Sequence, residues 1–169
     1  MLITKLLYFT LSGLIGVAGT PDDPYYLHPG RSEIGRQLFG ASVVGIRWTY
    51  NNQTTVEKRF SGSARAVVDP SGKYVLTIIQ GDPNYPPLRN AVIFNADGSL
   101  FRVIKPPEFV EKQVTMTKYT KFPPEGFESL RIQDGKILIG INFIRDWYQM
   151  RTYNIDADKW EEVESSGRY

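Results

Sequence analysis

In residues 44–50 the positions that point to one side are apolar, while Arg47 and Thr49 on the other side are polar. The apolar set is Val44, Ile46, Trp48 and Tyr50. A period of two residues is typical of a β-strand with one buried face. The pattern therefore predicts a strand that ends at a turn formed by Asn51-Asn52.

Four more turn sequences follow, each between apolar, strand-like segments. They are Asp69-Pro70-Ser71-Gly72, Asn95-Ala96-Asp97-Gly98, Gln133-Asp134-Gly135 and Asp156-Ala157-Asp158. Proline fixes φ for a turn, and glycine, asparagine and aspartate tolerate the positive φ that closes one. The sequence therefore predicts an all-β fold, an antiparallel meander of about eight to ten strands in a small barrel or sandwich, with at most one or two short helices.

Two resemblances rest on these hairpins. Segments 67–76 (VVDPSGKYVL) and 92–100 (VIFNADGSL) resemble the hairpins of β-propeller blades, and this resemblance covers residues 66–163. A propeller needs about four blades of about 40 residues, so the chain is too short to close one alone. Segment 72–79, with the later Phe-Pro-Pro-Glu-Gly at 122–126, resembles small lipocalin-like barrels, which implies an apolar ligand site inside a barrel.

The length of 169 residues fits one domain, so we expect a single all-β domain over residues 1–169. Residues 1–19 form an apolar N-terminal segment with two interpretations, a signal peptide cleaved near Val17-Ala18-Gly19 or the first strand of the fold. Residues 20–40 are predicted to be a surface connector with a short helix over 31–40. The protein is cytoplasmic if 1–19 belongs to the fold and periplasmic or secreted if it is cleaved. Membrane association requires that 1–19 is retained as an anchor.

Charge and residue chemistry exclude several classes of function. Twenty Lys and Arg against eighteen Asp and Glu give a net charge of +2, which predicts no nucleic-acid groove. The absence of cysteine excludes disulfides and thiolate sites. His28 is the single histidine, and no catalytic or phosphate-binding motif accompanies it. The oxygen-rich groups at 95–99 and 156–162 can be read as calcium ligands, but turn chemistry explains them better. We therefore expect no catalytic residue, no metal and no cofactor.

The hairpin over residues 136–155 contains most of the candidate binding residues. A two-residue loop at Arg145-Asp146 would pair Ile144 with Trp147, Ile141 with Met150 and Gly140 with Arg151. One face would then be apolar, while the other would carry Trp147, Gln149, Arg151 and Tyr153, with Arg145 at the tip. Tryptophan, tyrosine and arginine dominate binding hot spots. The alternative is a solvated sheet face whose aromatic residues pair across strands.

The second candidate is the loop over residues 81–87, in which prolines would hold a protruding Tyr85 rigid before a partner binds. Together these features favour a non-enzymatic protein-binding module, such as an inhibitor or a toxin-neutralising immunity protein. The alternative is a small-molecule-binding β-barrel, either a lipocalin-like carrier of an apolar ligand or a cofactor-free isomerase or cyclase. A third hypothesis, a membrane-tethered or secreted accessory subunit, depends on residues 1–19.

Overall fold

The computed structural model describes residues 1–17, 43–115, 118–144 and 147–168, and within these ranges the chain forms fourteen β-strands and no helix. The predicted connector over 20–40, its short helix and His28 lie outside the described residues. In the described part of the chain, no helical segment has the length and apolar character needed to span a bilayer.

The first sheet contains four antiparallel strands in the order β2-β1-β3-β4. They are β1 (Ile3–Thr10), β2 (Gly13–Val17), β3 (Val43–Tyr50) and β4 (Thr54–Arg59). Residues 1–17 therefore form strands of the fold, which is the second of the two interpretations of this segment. Leu6 of β1 is completely buried. The predicted alternation in β3 is also present, since Ile46 and Trp48 are buried while Arg47 lies on the other face.

The second sheet is a meander of β5 (Ser63–Val68), β6 (Tyr74–Gln80), β7 (Ala91–Asn95) and β8 (Leu100–Val103). The third is a meander of β11 (Pro124–Gln133), β12 (Lys136–Phe143), β13 (Trp147–Asn154) and β14 (Lys159–Arg168). Between them, β9 (Val110–Thr115) and β10 (Lys118–Phe122) form a two-stranded ribbon.

Apolar side chains project from both faces of the second sheet and are buried. In β6, Leu76 and Ile78 join a core cluster with Ile139 and Ile141 of the third sheet. Val75 and Ile79 point the other way and belong to a cluster with Leu6, Ile46 and Trp48 of the first sheet. The second sheet is thus the middle layer of a stack of three, and we call it the middle sheet.

Trp48 fastens the first sheet to the end of the middle sheet. Its indole is fully buried, stacks on Phe94 with ring centroids 6.0 Å apart, and donates from Nε1 to the carbonyl oxygen of Ala96 at 2.7 Å. A buried indole N–H needs such an acceptor, because leaving it unpaired costs free energy.

The all-β, antiparallel, sandwich-like prediction is confirmed, and the described strands do not close into a barrel. The strand number is higher than expected because residues 1–17 and 110–122 also form strands. The predicted turns are present, and they use positive φ where the sequence offers asparagine, aspartate or glycine. The examples are Asn51, Asn52, Gly72, Gly98, Asp134, Gly135 and Asp158.

We expect Ile78→Ala and Ile79→Ala each to lower the free energy of unfolding by about 2–5 kcal/mol, because each truncation opens a cavity in one of the two cores. Gln80→Ala, at the exposed end of the same strand, should change it by less than about 0.5 kcal/mol. Urea unfolding monitored by circular dichroism measures the three values. If either isoleucine variant behaves like Gln80→Ala, that face of the middle sheet is not packed as described.

Candidate functional site

The β12–β13 hairpin has a different register from the one predicted. Phe143 pairs with Trp147, Ile141 with Gln149 and Ile139 with Arg151. Residues 144–146 therefore form a three-residue connection, and the predicted pairs of Ile144 with Trp147 and Gly140 with Arg151 are wrong. Ile144 instead donates its backbone N–H to the carbonyl oxygen of Pro123 at 3.2 Å. A shift of one residue moves every side chain of one strand to the other face relative to its partner.

The predicted division of the hairpin into an apolar face and a separate polar, aromatic face is consequently wrong. Trp147, Gln149, Arg151 and Tyr153 share a face with Ile139, Ile141 and Phe143. Tyr153 is 4% exposed and Gln149 is 7% exposed, and Trp147 packs half-buried against the same core. These side chains line the inner side of the third sheet.

Gly140, which was predicted to pair with Arg151, lies between two other side chains. It pairs with Met150, and a Cβ at this position would lie 3.0 Å from Met150 Sδ and would overlap Ser129 Oγ. Ser129 Oγ donates to Met150 Sδ at 3.3 Å across this gap. Residue 140 must therefore be glycine, because two side chains approach each other over it on the outer side of the sheet.

Gln149 and Arg151 bring polar atoms into a region that excludes water. Among the described residues, Gln149 Oε1 and Arg151 Nε are buried without a hydrogen-bond partner, whereas Arg151 Nη2 donates to the carbonyl oxygen of Glu161 at 3.3 Å. Burial lowers the pKa of the Arg151 guanidinium. Arg145 lies outside the described residues, so the structure does not place it.

Tyr153 joins the third sheet to the edge of the middle sheet. Its hydroxyl donates to Asp158 Oδ1 at 2.5 Å, and Arg102 of β8 donates to the carbonyl oxygen of Ile155 at 2.5 Å. Arg102 Nε also lies 3.5 Å from Asp158 Oδ2. Burial, followed by the hydrogen bond to Asp158, raises the pKa of Tyr153 to about 12. This cluster has a structural role that its sequence position did not reveal.

The loop over residues 81–90 connects β6 to β7 and is held at its first end by a buried carboxylate. Asp82 is 5% exposed and accepts hydrogen bonds at 2.9 Å from the backbone N–H groups of Ser61 and Asn84. These bonds lower the pKa of Asp82, and the bond from Ser61 has the largest effect. The half-buried ring of Tyr85 packs edge-on against Phe60 with centroids 5.9 Å apart.

Asn90 holds the second end of this loop. Its buried side chain imitates a strand neighbour, because it donates from Nδ2 to the carbonyl oxygen of Phe127 at 2.9 Å and accepts from the N–H of Phe127 at 3.2 Å. Between the two clamps Leu88 is 36% exposed and has a φ of 71°, a left-handed conformation that is costly for a side chain of this size. Tyr85 was predicted to protrude, but its ring is half-buried, and Leu88 presents an exposed large apolar side chain in this loop.

The loop and the hairpin lie at the same end of the third sheet. A Cβ at Gly126 of β11 would lie 3.8 Å from Pro87, and Ile144 bonds to Pro123 just before β11. Trp147 pairs with Phe143, and Phe143 pairs with Pro124 of β11. Trp147 therefore lies two strand spacings, about 10 Å, from β11. We call this surface the Pro-rich end; its members are residues 81–90, Pro123, Pro124, Ile144 and Trp147.

The acidic turns that resembled calcium loops use their oxygens internally. Asp97 Oδ1 accepts from the backbone N–H and the hydroxyl of Ser99, at 2.9 and 2.6 Å. Asp158 is bound by Tyr153 and Arg102. Within the described residues, no cluster of three acidic or histidine side chains has the geometry of a metal site.

Comparison with known proteins identifies the fold. No family model and no curated protein matches the sequence. Among solved structures, a chain from the structure of Tne2 in complex with Tni2 is similar, with a TM-score of 0.59 and 14% sequence identity. The alignment covers 98% of this chain and 100% of that chain, so the two share their fold over their full lengths.

We expect Asn90→Ala to lower the free energy of unfolding by about 1–3 kcal/mol, because both backbone groups of Phe127 lose their partner in a buried position. Amide hydrogen exchange should also become faster in residues 81–90, since one clamp of the loop is removed. Asn84→Ala is the matched control, because Asn84 is exposed and the variant keeps the backbone N–H that binds Asp82. Equal exchange rates in the two variants would contradict the role of Asn90.

The raised pKa of Tyr153 predicts that the free energy of unfolding decreases in alkali. The unfolded chain releases the phenolic proton near pH 10 and the folded chain near pH 12, so between these values the unfolded state binds fewer protons and stability falls as pH rises. We expect Tyr153→Phe to reduce this fall in urea unfolding measured at pH 10 and pH 11. An equally large fall in the wild type and in Tyr153→Phe would contradict this role of Tyr153.

Proposed function

We propose that this protein is a non-enzymatic protein-binding module that acts by occupying its partner, as an inhibitor or a toxin-neutralising immunity protein does. The observation that carries the proposal is the Pro-rich end, where a loop anchored at both ends exposes Leu88 at the same end of the third sheet as Ile144 and Trp147. Leu88 is 36% and Ile144 39% exposed, so apolar area is available to a partner.

The loop is ordered before any partner arrives. Asp82 and Asn90 fix its two ends, and three prolines restrict the backbone between them. Binding normally requires that flexible loops lose conformational entropy, and a preformed loop avoids most of this cost. The left-handed Leu88 supports the same interpretation, because strain of this kind costs about 1–3 kcal/mol and concentrates at functional sites.

The candidate residues from the sequence have different proposed roles at this end. Trp147 and Tyr85 are half-buried aromatic anchors of the type found in binding hot spots. Arg145, at the tip of the same hairpin, is proposed as a further contact. Gln149 and Arg151 are proposed to support Trp147 from within the sheet, and the buried Tyr153 to hold that sheet against Arg102.

The fold comparison adds support of a different kind. The similar chain comes from a structure of two proteins bound to each other. A fold shared over the full length of both chains is compatible with a role as one member of such a pair. Residues 1–17 form part of this fold, which also supports the proposal that they are retained in the functional protein.

The test uses the full-length protein, tagged at its C terminus, to capture a partner from a lysate of its native host. The partner is identified by mass spectrometry and purified, and its affinity is measured by calorimetry. We expect Leu88→Asp and Trp147→Ala each to weaken binding about 30-fold, the loss expected for hot-spot residues. Leu100→Asp, an exposed apolar position at the opposite end of the middle sheet, should weaken it less than about threefold.

Neutralisation is measured separately, as growth of cells that express the partner alone or together with this protein. Restoration of growth is expected with the wild type and not with Leu88→Asp. A partner that binds without any loss of its activity would contradict the inhibitor role. Equal affinities of Leu88→Asp and Leu100→Asp would contradict the Pro-rich end as the site.

A further inference from the structure

The outer face of the first sheet, which points away from the middle sheet, carries an ordered group of charged side chains. Cross-strand partners share a face, and the pairs of Leu7 with Arg47, Arg47 with Glu57, and Gly45 with Arg59 define this one. We call Phe9, Arg47, Glu57 and Arg59 the arginine platform.

Glu57 holds both arginines in place. Arg47 donates from Nε and Nη2 to Glu57 Oε2 at 3.1 and 2.7 Å, and Arg59 donates from Nε to Glu57 Oε1 at 2.8 Å. These bonds lower the pKa of the Glu57 carboxyl, so it stays ionised at neutral pH. Exposed ion pairs add little to stability because water screens them. The main consequence of the network is therefore that it fixes the direction of two guanidinium groups.

Phe9 supports the same two groups from below. The guanidinium carbon of Arg59 lies 3.7 Å from the centroid of the Phe9 ring, and that of Arg47 lies 4.9 Å from it. Gly45 makes this possible, because a Cβ there would lie 2.7 Å from the Lys58 carbonyl oxygen and 3.4 Å from the Phe9 ring. Phe9 is covered to 7% exposure, whereas the Arg59 side chain remains 58% exposed.

The platform retains unused donors and a surplus of positive charge. Within the described part of the chain, Arg59 donates a hydrogen bond only from Nε, and its side chain is 58% exposed, which leaves its Nη groups available to a ligand. Counting only the described residues, this face carries three cations, Lys5, Arg47 and Arg59, and one carboxylate, and Lys5 shares the face through its pair with Thr49. The neighbouring strand β2 adds no charged residue. A planar guanidinium with free N–H groups is well suited to bind a carboxylate.

The platform is adjacent to the Pro-rich end. Arg59 is followed by Phe60, whose ring packs on Tyr85, and by Ser61, whose N–H binds Asp82. Both Arg59 and the loop over 81–90 thus lie at the same end of their sheets. A protein that covers Leu88 can therefore reach Arg59 with a neighbouring segment.

We infer that the arginine platform receives acidic side chains of the protein that binds the Pro-rich end. This inference rests on the proposed function, because it assigns the chemistry of the same partner. A protein partner is favoured over other anions because the cations are few and stand beside exposed apolar residues, the mixture found in protein interfaces. Preoriented charges of this kind increase the rate of association and select against partners of the same sign.

The test measures association rates of the purified partner with variants that remove one positive charge. We expect Arg59→Gln to lower the association rate constant about tenfold at low salt, with a smaller difference at high salt. Lys73→Gln removes the same charge in the turn at the opposite end of β6, and it should lower the rate less than about threefold. Arg59→Lys, which keeps the charge, should recover most of the rate.

A second measurement does not require the partner. A peptide of glutamate residues with blocked termini is titrated into the full-length protein, and the side-chain Nε–Hε signals of Arg47 and Arg59 are followed by NMR. We expect both signals to shift with the glutamate peptide and not with a matched lysine peptide. Sedimentation with vesicles that contain anionic phosphatidylserine is measured in parallel, and no binding is expected.

Three results would overturn the inference. Equal association rates of Arg59→Gln and Lys73→Gln would do so while leaving the proposed function intact. Arginine signals that stay unchanged in the peptide titration would also overturn the inference, whether or not a partner is captured. Failure to capture a partner counts by itself only against the proposed function. Binding to vesicles without any response to the peptide would assign the platform to a lipid surface instead.

Discussion

The burial of both faces of the middle sheet is the constraint on which the rest of this structure depends. A strand with one solvent-exposed face alternates between apolar and polar residues. In β6, by contrast, the consecutive residues Val75 and Leu76, and also Ile78 and Ile79, are all buried. Such runs are typical of strands covered on two sides. The first and third sheets are therefore required as covers, and each contributes its own apolar side chains to one of the two cores.

This arrangement also explains why the loop over residues 81–90 is rigid. A connection at the end of a covered sheet lies between its two neighbours, and its backbone groups are partly shielded from water. The chain meets this need with polar side chains, since Asp82 binds Ser61 beside the first sheet and Asn90 binds Phe127 of the third. The same bonds that satisfy buried groups thus connect the loop to both covering sheets, so the proposed binding surface is preformed as a consequence of the layered fold.

The sequence was sufficient for features that depend on local chemistry. Turns such as Asp134-Gly135 were predicted because aspartate and glycine tolerate positive φ, and the flanking strands followed from their apolar runs. The hairpin register was not predictable in this way, because it depends on a bond from Ile144 to Pro123, a residue of another strand connection. Leu88 was missed because leucine gives no sign of a left-handed backbone. The contact of Phe9 with Arg59 was missed because it joins residues from distant parts of the chain.

The layered fold also limits where a partner can bind. The inner faces are occupied by the cores, and on the outer side of the third sheet Leu138, Met150 and Thr152 are buried as well. The outer face of the first sheet differs, since the side chains of Arg47 and Glu57 are 35% and 34% exposed. In the described part of the chain, charges held in fixed positions are thus found on this face of the first sheet, while the exposed Leu88 lies at a sheet end. Apolar area supplies affinity, while fixed charges supply orientation and rate. A partner that binds as proposed would meet both requirements at one end of the sheets, because the loop that exposes Leu88 is joined to Arg59 through the packing of Tyr85 on Phe60.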